Sequence, residues 1–158
     1  MTNQDDFFLR EAIQLAREGM TSGQGGPFGS VIVRDGVIVG KGCNKVTSTN
    51  DPTAHAEVVA IRDACQNLGT FQLDGCTLYA SCEPCPMCLG AIYWARPSRI
   101  VYAAFHSDAA DAGFDDQFIY EEIDKPRAER HIPMHQLLRD EANTVFEEWV
   151  ALGKRIPY

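Results

Sequence analysis

The sequence has no apolar run approaching the ~18 residues of a membrane-spanning helix, which excludes that class of membrane protein. It has no internal repeat and no low-complexity tract, so solenoid and fibrous architectures are excluded. Thirteen glycines and eight prolines are close to average usage, too few for a collagenous chain. Basic residues are scarce: 14 Lys+Arg stand against 22 Asp+Glu, a formal charge of −8. After residue 100 the deficit deepens, with 6 basic side chains against 12 acidic ones. Without a basic stripe, nucleic-acid binding driven by phosphates has no electrostatic footprint. The first residues, Met1-Thr2-Asn3-Gln4-Asp5-Asp6, are acidic where a secretory signal would be basic, so a cytoplasmic protein is expected.

The 45% hydrophobic content is too high for a disordered chain. A single domain over residues 1–158 is the expectation, and a chain of this length buries roughly 70% of its unfolded surface. Phe8, Leu9, Ala12, Ile13, Ala16 and Met20 follow the rhythm of an amphipathic helix over Asp5–Met20. The runs Ser30–Arg34 and Val37–Gly40, joined by Asp35-Gly36, predict a β-hairpin with a type I′ turn. Further expectations are a helix from about Ala54 to Leu68 stopped by Gly69, and a strand at Thr77–Ala80. A helix from Cys85 to about Trp94 and a strand at Ile100–Ala103 should follow. The region after that strand is expected to be loop, then a short helix near Asp116–Glu122 and an amphipathic helix near Glu141–Leu152. A hairpin followed by strand–helix alternation predicts a three-layer α/β/α fold on a central mixed sheet.

Two short motifs carry the chemistry, His55-Ala56-Glu57 and Pro84-Cys85-Pro86-Met87-Cys88, each at an expected helix start. One imidazole and two thiolates suit Zn²⁺ better than the oxygen-seeking Mg²⁺ or Ca²⁺. A helix start lowers thiol pKa and favours the thiolates. Three protein ligands leave the fourth tetrahedral position for water, and Glu57 is close enough in sequence to take a proton from it. Plainer readings stand beside this one. A lone C-x-x-C is also a redox pair or half of a structural zinc site. Cys82-x-x-Cys85-x-x-Cys88 looks like an iron–sulfur run, although Ile92 and Tyr93 stand where the bacterial pattern wants Cys-Pro. Cys82 could instead close a Cys₃His structural site, which would have no use for Glu57.

Together the motifs match the H-x-E…P-C-x-x-C signature of zinc-dependent nucleobase deaminases. The segments Gly26–Gly29, Asn44, Asn50–Glu57, Ser81–Pro97 and Ala112–Asp116 extend the likeness, as does the aromatic Tyr158. On these residues the chain resembles the bacterial guanine deaminases of the cytidine deaminase superfamily. The resemblance implies a sheet of about five strands and hydrolysis of guanine to xanthine and ammonia. It also implies one Zn²⁺ per chain held by His55, Cys85 and Cys88, with Glu57 as proton shuttle. Phe28 would stack on the purine, while Asn44, Asp116 and Tyr158 would read its polar edge. A homodimer is expected, with the segment from about 141 to 158 swapped onto the partner so that Tyr158, stiffened by Pro157, closes its pocket.

Each of these residues has a structural alternative: core packing for Phe28, a turn cap for Asn44, a helix N-cap for Asp116, a frayed end for Tyr158. Glu121 is a candidate second proton carrier on a helical arc with Phe114 and Phe118, with Glu122 near the same arc; the alternative is a solvated helix face. Other functions remain open: a tRNA adenosine deaminase, a cytosine or cytidine deaminase, or a non-enzymatic zinc-binding module.

Overall fold

The computed structural model describes residues 3–156 and 158. Met1 and Thr2 of the acidic start, and Pro157 of the expected stiff tail, lie outside the described residues. The helices are α1 (Asn3–Thr21), α2 (Val46–Thr49), α3 (Ala56–Leu68), α4 (Pro86–Ala95), α5 (His106–Asp111), α6 (Gln117–Asp124) and α7 (Arg139–Ala151). The strands are β1 (Gly29–Arg34), β2 (Val37–Cys43), β3 (Thr77–Cys82) and β4 (Arg99–Ala104).

The hairpin forms as expected. Asp35 and Gly36 both take positive φ, 51° and 76°, as a type I′ turn requires. β1 pairs antiparallel with β2 and with β3, and β3 pairs parallel with β4, giving the order β2-β1-β3-β4. The sheet is mixed, but among the described residues it has four strands where about five were expected. The stretch after β4, His106-Ser107-Asp108-Ala109-Ala110-Asp111, suits a pleated surface poorly. This stretch, expected as loop, forms α5. Asp108 secures its start by accepting the Phe105 N–H at 2.8 Å.

Alternation along the strands feeds two apolar layers. Val31, Val33 and Tyr79 pack with Phe8 of α1 on one face. Ile32, Leu78 and Ala80 pack with Ala60 and Ala64 of α3 and with Ile92 and Ala95 of α4 on the other. Two close approaches set the depth of α3. A Cβ on Gly40 would lie 2.6 Å from the Ala60 carbonyl oxygen, and one on Gly42 would lie 2.2 Å from that of Ala56. Glycines facing an alanine stripe therefore let the helix lie directly on β2, which brings the start of α3 to the end of the sheet. A polar network fastens α1. The Tyr79 hydroxyl donates to buried Asp5 at 2.8 Å, and Arg99 donates both to Asp5 and, at 3.1 Å, to that hydroxyl. A buried carboxylate paired this way leaves no uncompensated charge.

The chain divides into two compact units, one ending at Asp116 and one from Gln117 to Tyr158. The first holds the sheet and both core layers. The second consists of α6, a single 3-10 turn at Arg127–Glu129, and α7. No described residue of the second unit is buried. No helix among the described residues is long and apolar enough to cross a membrane.

Candidate metal centre and active site

The loop before α3 is shaped by its own side chains. Asp51 accepts from the Thr53 N–H at 2.8 Å and from its hydroxyl at 2.6 Å, bonds that hold the Asp51 carboxyl below its ordinary pKa. The Lys45 N–H donates to the Ala54 carbonyl at 2.9 Å, tying this loop to the end of β2. His55 then occupies the N-cap of α3 in extended conformation. Cys85 occupies the N-cap of α4 in the same way, with Pro86 at the first helical position, where no N–H is needed. Neither residue makes a side-chain capping bond. Two positions that usually hold Ser, Thr, Asp or Asn thus carry an imidazole and a thiol pointed elsewhere.

They point at each other. His55 Nδ1 lies 3.5 Å from Cys85 Sγ and 3.5 Å from Cys88 Sγ, and the three donor atoms fall within 4.8 Å of one another. Tetrahedral Zn²⁺ with ordinary Zn–S and Zn–N distances would separate its nitrogen and sulfur ligands by about 3.6 Å. The donor chemistry and the spacing both fit this ion. The positive ends of α3 and α4 meet here, which favours thiolate over thiol. Cys85 is held down to about 4, first by the hydrogen bond from Cys88 and then by His55. Cys88 moves the opposite way, because it keeps the shared proton and is buried.

Glu57 sits in the first turn of α3, only 7% exposed. Burial pushes its carboxyl pKa up, and it shares a hydrogen bond with Cys88. Asp116 is close enough for its charge to act on His55; its own pKa is raised, by burial first and then by Cys85. Cys82 stands apart. Its thiol is directed at the Phe105 carbonyl, 3.5 Å away, and burial pushes its pKa up to about 11. Among the described residues it is not part of the three-donor group. The closed Cys₃His and iron–sulfur arrangements are therefore not what the fold assembles.

Asn44 and Phe28 are joined through the Asn44 N–H, which donates to the Phe28 carbonyl at 3.0 Å. The turn-cap reading of Asn44 holds for half of its amide: Oδ1 accepts from Gly26 N–H at 3.2 Å and from Val46 N–H at 3.1 Å. Neither bond uses the side-chain NH₂, and the residue as a whole is buried. Phe28 is half-buried and outside both core clusters, so it is not simple core packing. It helps line a mainly apolar cavity of about 430 Å³ with Ile13, Met20, Ala109 and Phe114. Ile13 and Met20 thus leave the expected buried face of α1 and turn to this cavity.

The second unit holds Glu121, Glu122 and Tyr158. α6 begins at Gln117, so Phe114 precedes it and the arc expected to join Glu121 with Phe114 does not exist. Glu121 is exposed. Glu122 accepts from Lys125 at 2.6 Å and from the His131 N–H at 2.7 Å, a local fastening of the turn that follows. Tyr158 is exposed. Sequence reasoning missed the Asp5–Tyr79–Arg99 network and the contact of Phe114 with Phe28. Only Phe114 had a local signal, an aromatic directly after Gly113.

A layered mixed sheet with His-x-Glu at one helix start and Pro-Cys-x-x-Cys at the next defines a zinc-dependent deaminase domain. Residues 2–104 match the cytidine and deoxycytidylate deaminase zinc-binding region, and the chain belongs to that family. It is 63% identical over 153 residues to the guanine deaminase of Bacillus subtilis, across 97% of this chain and 98% of that protein. The crystal structure of guanine deaminase from Bacillus subtilis superposes with a TM-score of 0.95 at 58% identity, covering 100% of this chain and 99% of the other. The tRNA-specific adenosine deaminase of Aquifex aeolicus is 33% identical over 144 residues, 91% of this chain and 92% of its own.

Proposed function

We propose that the protein hydrolyses guanine to xanthine and ammonia, with His55, Cys85 and Cys88 holding one zinc ion per chain. Zinc, when bound, supplies the Lewis acidity that brings the pKa of a water molecule towards ~7. Glu57 takes a proton from that water as its oxygen bonds to the ring carbon bearing the amino group. It delivers this proton to the adjacent ring nitrogen, then takes a second proton from the hydroxyl now on that carbon and passes it to the amine, so that the C–N bond breaks as the carbonyl forms. Burial suits Glu57 to this task, because a raised pKa lets a carboxyl hold a proton closer to neutrality. Phe28 supplies a flat face for the base, and the Asn44 NH₂ a fixed donor. Asp116 accepts from the ring N–H and amino donors of guanine, and Tyr158 covers the pocket.

The observation that carries this reading is the near full-length identity with a guanine deaminase, almost twice that with the tRNA enzyme. The formal charge of −8 also disfavours a polyanionic substrate. Ammonia release from guanine, adenine, cytosine and an RNA hairpin tests it: guanine should be turned over fastest. Activity on the hairpin without activity on free guanine would overturn the assignment.

The working form is a homodimer in which the segment from about 141 to 158 crosses to the partner. The absence of any buried residue from 117 onward, among those described, supports this, as do the exposed apolar residues Phe146, Trp149 and Val150 of α7. The cysteines are free, consistent with a reducing cytoplasm. Sedimentation at micromolar concentration should give twice the chain mass; a monomer with full activity would refute the exchange.

A further inference from the structure

We propose that Phe114 is a positioning residue: its ring braces Phe28 and so sets where Asp116 stands beside the metal donors. This rests on the reading of Phe28 and Asp116 as base-binding residues. The rings of Phe28 and Phe114 meet edge to face, with centroids 5.0 Å apart and planes at 88°. Gly26 closes the space around them, since a Cβ there would fall 3.2–3.3 Å from both rings. The backbone leading to Phe114 is equally determined. α5 hangs from the residues before Cys85, through the His106 N–H to Glu83 at 3.2 Å and the Glu83 N–H to the Ala104 carbonyl at 2.9 Å. At its end Gly113 takes φ +92°, a left-handed conformation that glycine adopts without strain. The Phe114 N–H then returns to the Ala109 carbonyl at 2.9 Å. This reversal lays Phe114 on Phe28 and leaves one residue before Asp116.

The ring has no place in the core. It is 44% exposed and belongs to neither apolar cluster, so holding the fold together is not its task. What the contact does is couple two walls of the site, the aromatic platform and the carboxylate. Both walls bind the base before reaction, so loosening them should raise KM and spare kcat.

Kinetics of Phe114→Leu, Phe114→Tyr and Phe28→Leu test this on whichever base of the panel the wild-type enzyme turns over fastest. Phe114→Leu should raise KM roughly tenfold, as loss of a specific ring–ring contact does, with kcat within about threefold. Its zinc content and melting temperature should be unchanged. Phe114→Tyr keeps the ring and should restore KM. The double variant Phe28→Leu/Phe114→Leu should be no worse in KM than Phe28→Leu alone, because the brace acts through Phe28. Wild-type KM in Phe114→Leu, independent multiplication of the two effects, or a fall in zinc content or melting temperature would each overturn the proposal. Which base is fastest decides the guanine assignment, whereas the contrast among variants decides the role of Phe114.

Discussion

Up to Asp116 the chain buries an apolar layer on each face of one sheet, whereas from Gln117 to Tyr158 no described residue is buried. The first unit can hold three donor atoms at fixed spacing because both helices that carry them are packed on that sheet. The second unit is tied by local bonds, such as Glu122 to Lys125 and to the His131 N–H. Fully burying a Phe-sized side chain yields about 1.5–3 kcal/mol, a gain that Phe146, 69% exposed, leaves largely unrealised. The difference teaches a division of labour: a site needing fixed distances is assembled where the chain buries itself, and the rest leaves its apolar side chains on the surface.

The strongest way to break that division is to remove a donor. Replacing His55, Cys85 or Cys88 by Ala should abolish bound zinc and activity together, read by metal analysis and ammonia release. Cys82→Ser should keep one zinc per chain, because its thiol faces the Phe105 carbonyl. Zinc loss in that variant would return the site to a closed structural type.

Next in size is Glu57→Gln, which preserves shape and zinc but cannot accept the water proton. Its rate should fall at least ~10²-fold. Near-native turnover would take Glu57 out of the reaction.

The second unit is probed by deleting Ile156–Tyr158. Turnover should fall roughly tenfold or more, with zinc content and melting temperature nearly unchanged, since a lid excludes water and orients the base without holding the fold. Mixing this truncation with Glu57→Ala should recover some activity in hybrid dimers, where one site has both an intact Glu57 and a donated Tyr158. Recovery failing in hybrids shown to form would place the lid on its own subunit.

The smallest effect compares Glu57 with Gln in metal-stripped protein. Burial raises the folded pKa of Glu57 above its unfolded value, so stability is lost as pH rises from about 4.5 through the folded pKa. Glutamine does not ionise. The stability advantage of Glu57→Gln should therefore be smallest near pH 4 and grow towards pH 8, measured by denaturant unfolding. An advantage independent of pH would contradict this origin.

How far the site could be foreseen follows the range of the interactions. Asp35-Gly36, Gly69 after α3 and Pro86 inside α4 act on their own backbone, so hairpin, helix stop and helix start were legible. The metal donors were legible too, because each motif lies within one helical turn. The fifth strand expected from the resemblance had no local signal behind it and is absent among the described residues, and α5 was hidden in composition typical of a loop. Tyr79 with Asp5, and Phe114 with Phe28, are partners distant in sequence, and no local pattern announces them.

By itself the sequence determined the candidate donor set, the hairpin and the layered architecture, because residue type and short spacing suffice for each. Only the tertiary structure decided that Cys82 is excluded from the metal group. It also decided that Asn44 spends its carbonyl oxygen on two backbone N–H groups, and that Asp116 stands within reach of the charge on His55. Those outcomes depend on how closely α3 lies on β2 and how the chain reverses at Gly113. Such distances are set by packing between segments far apart in sequence.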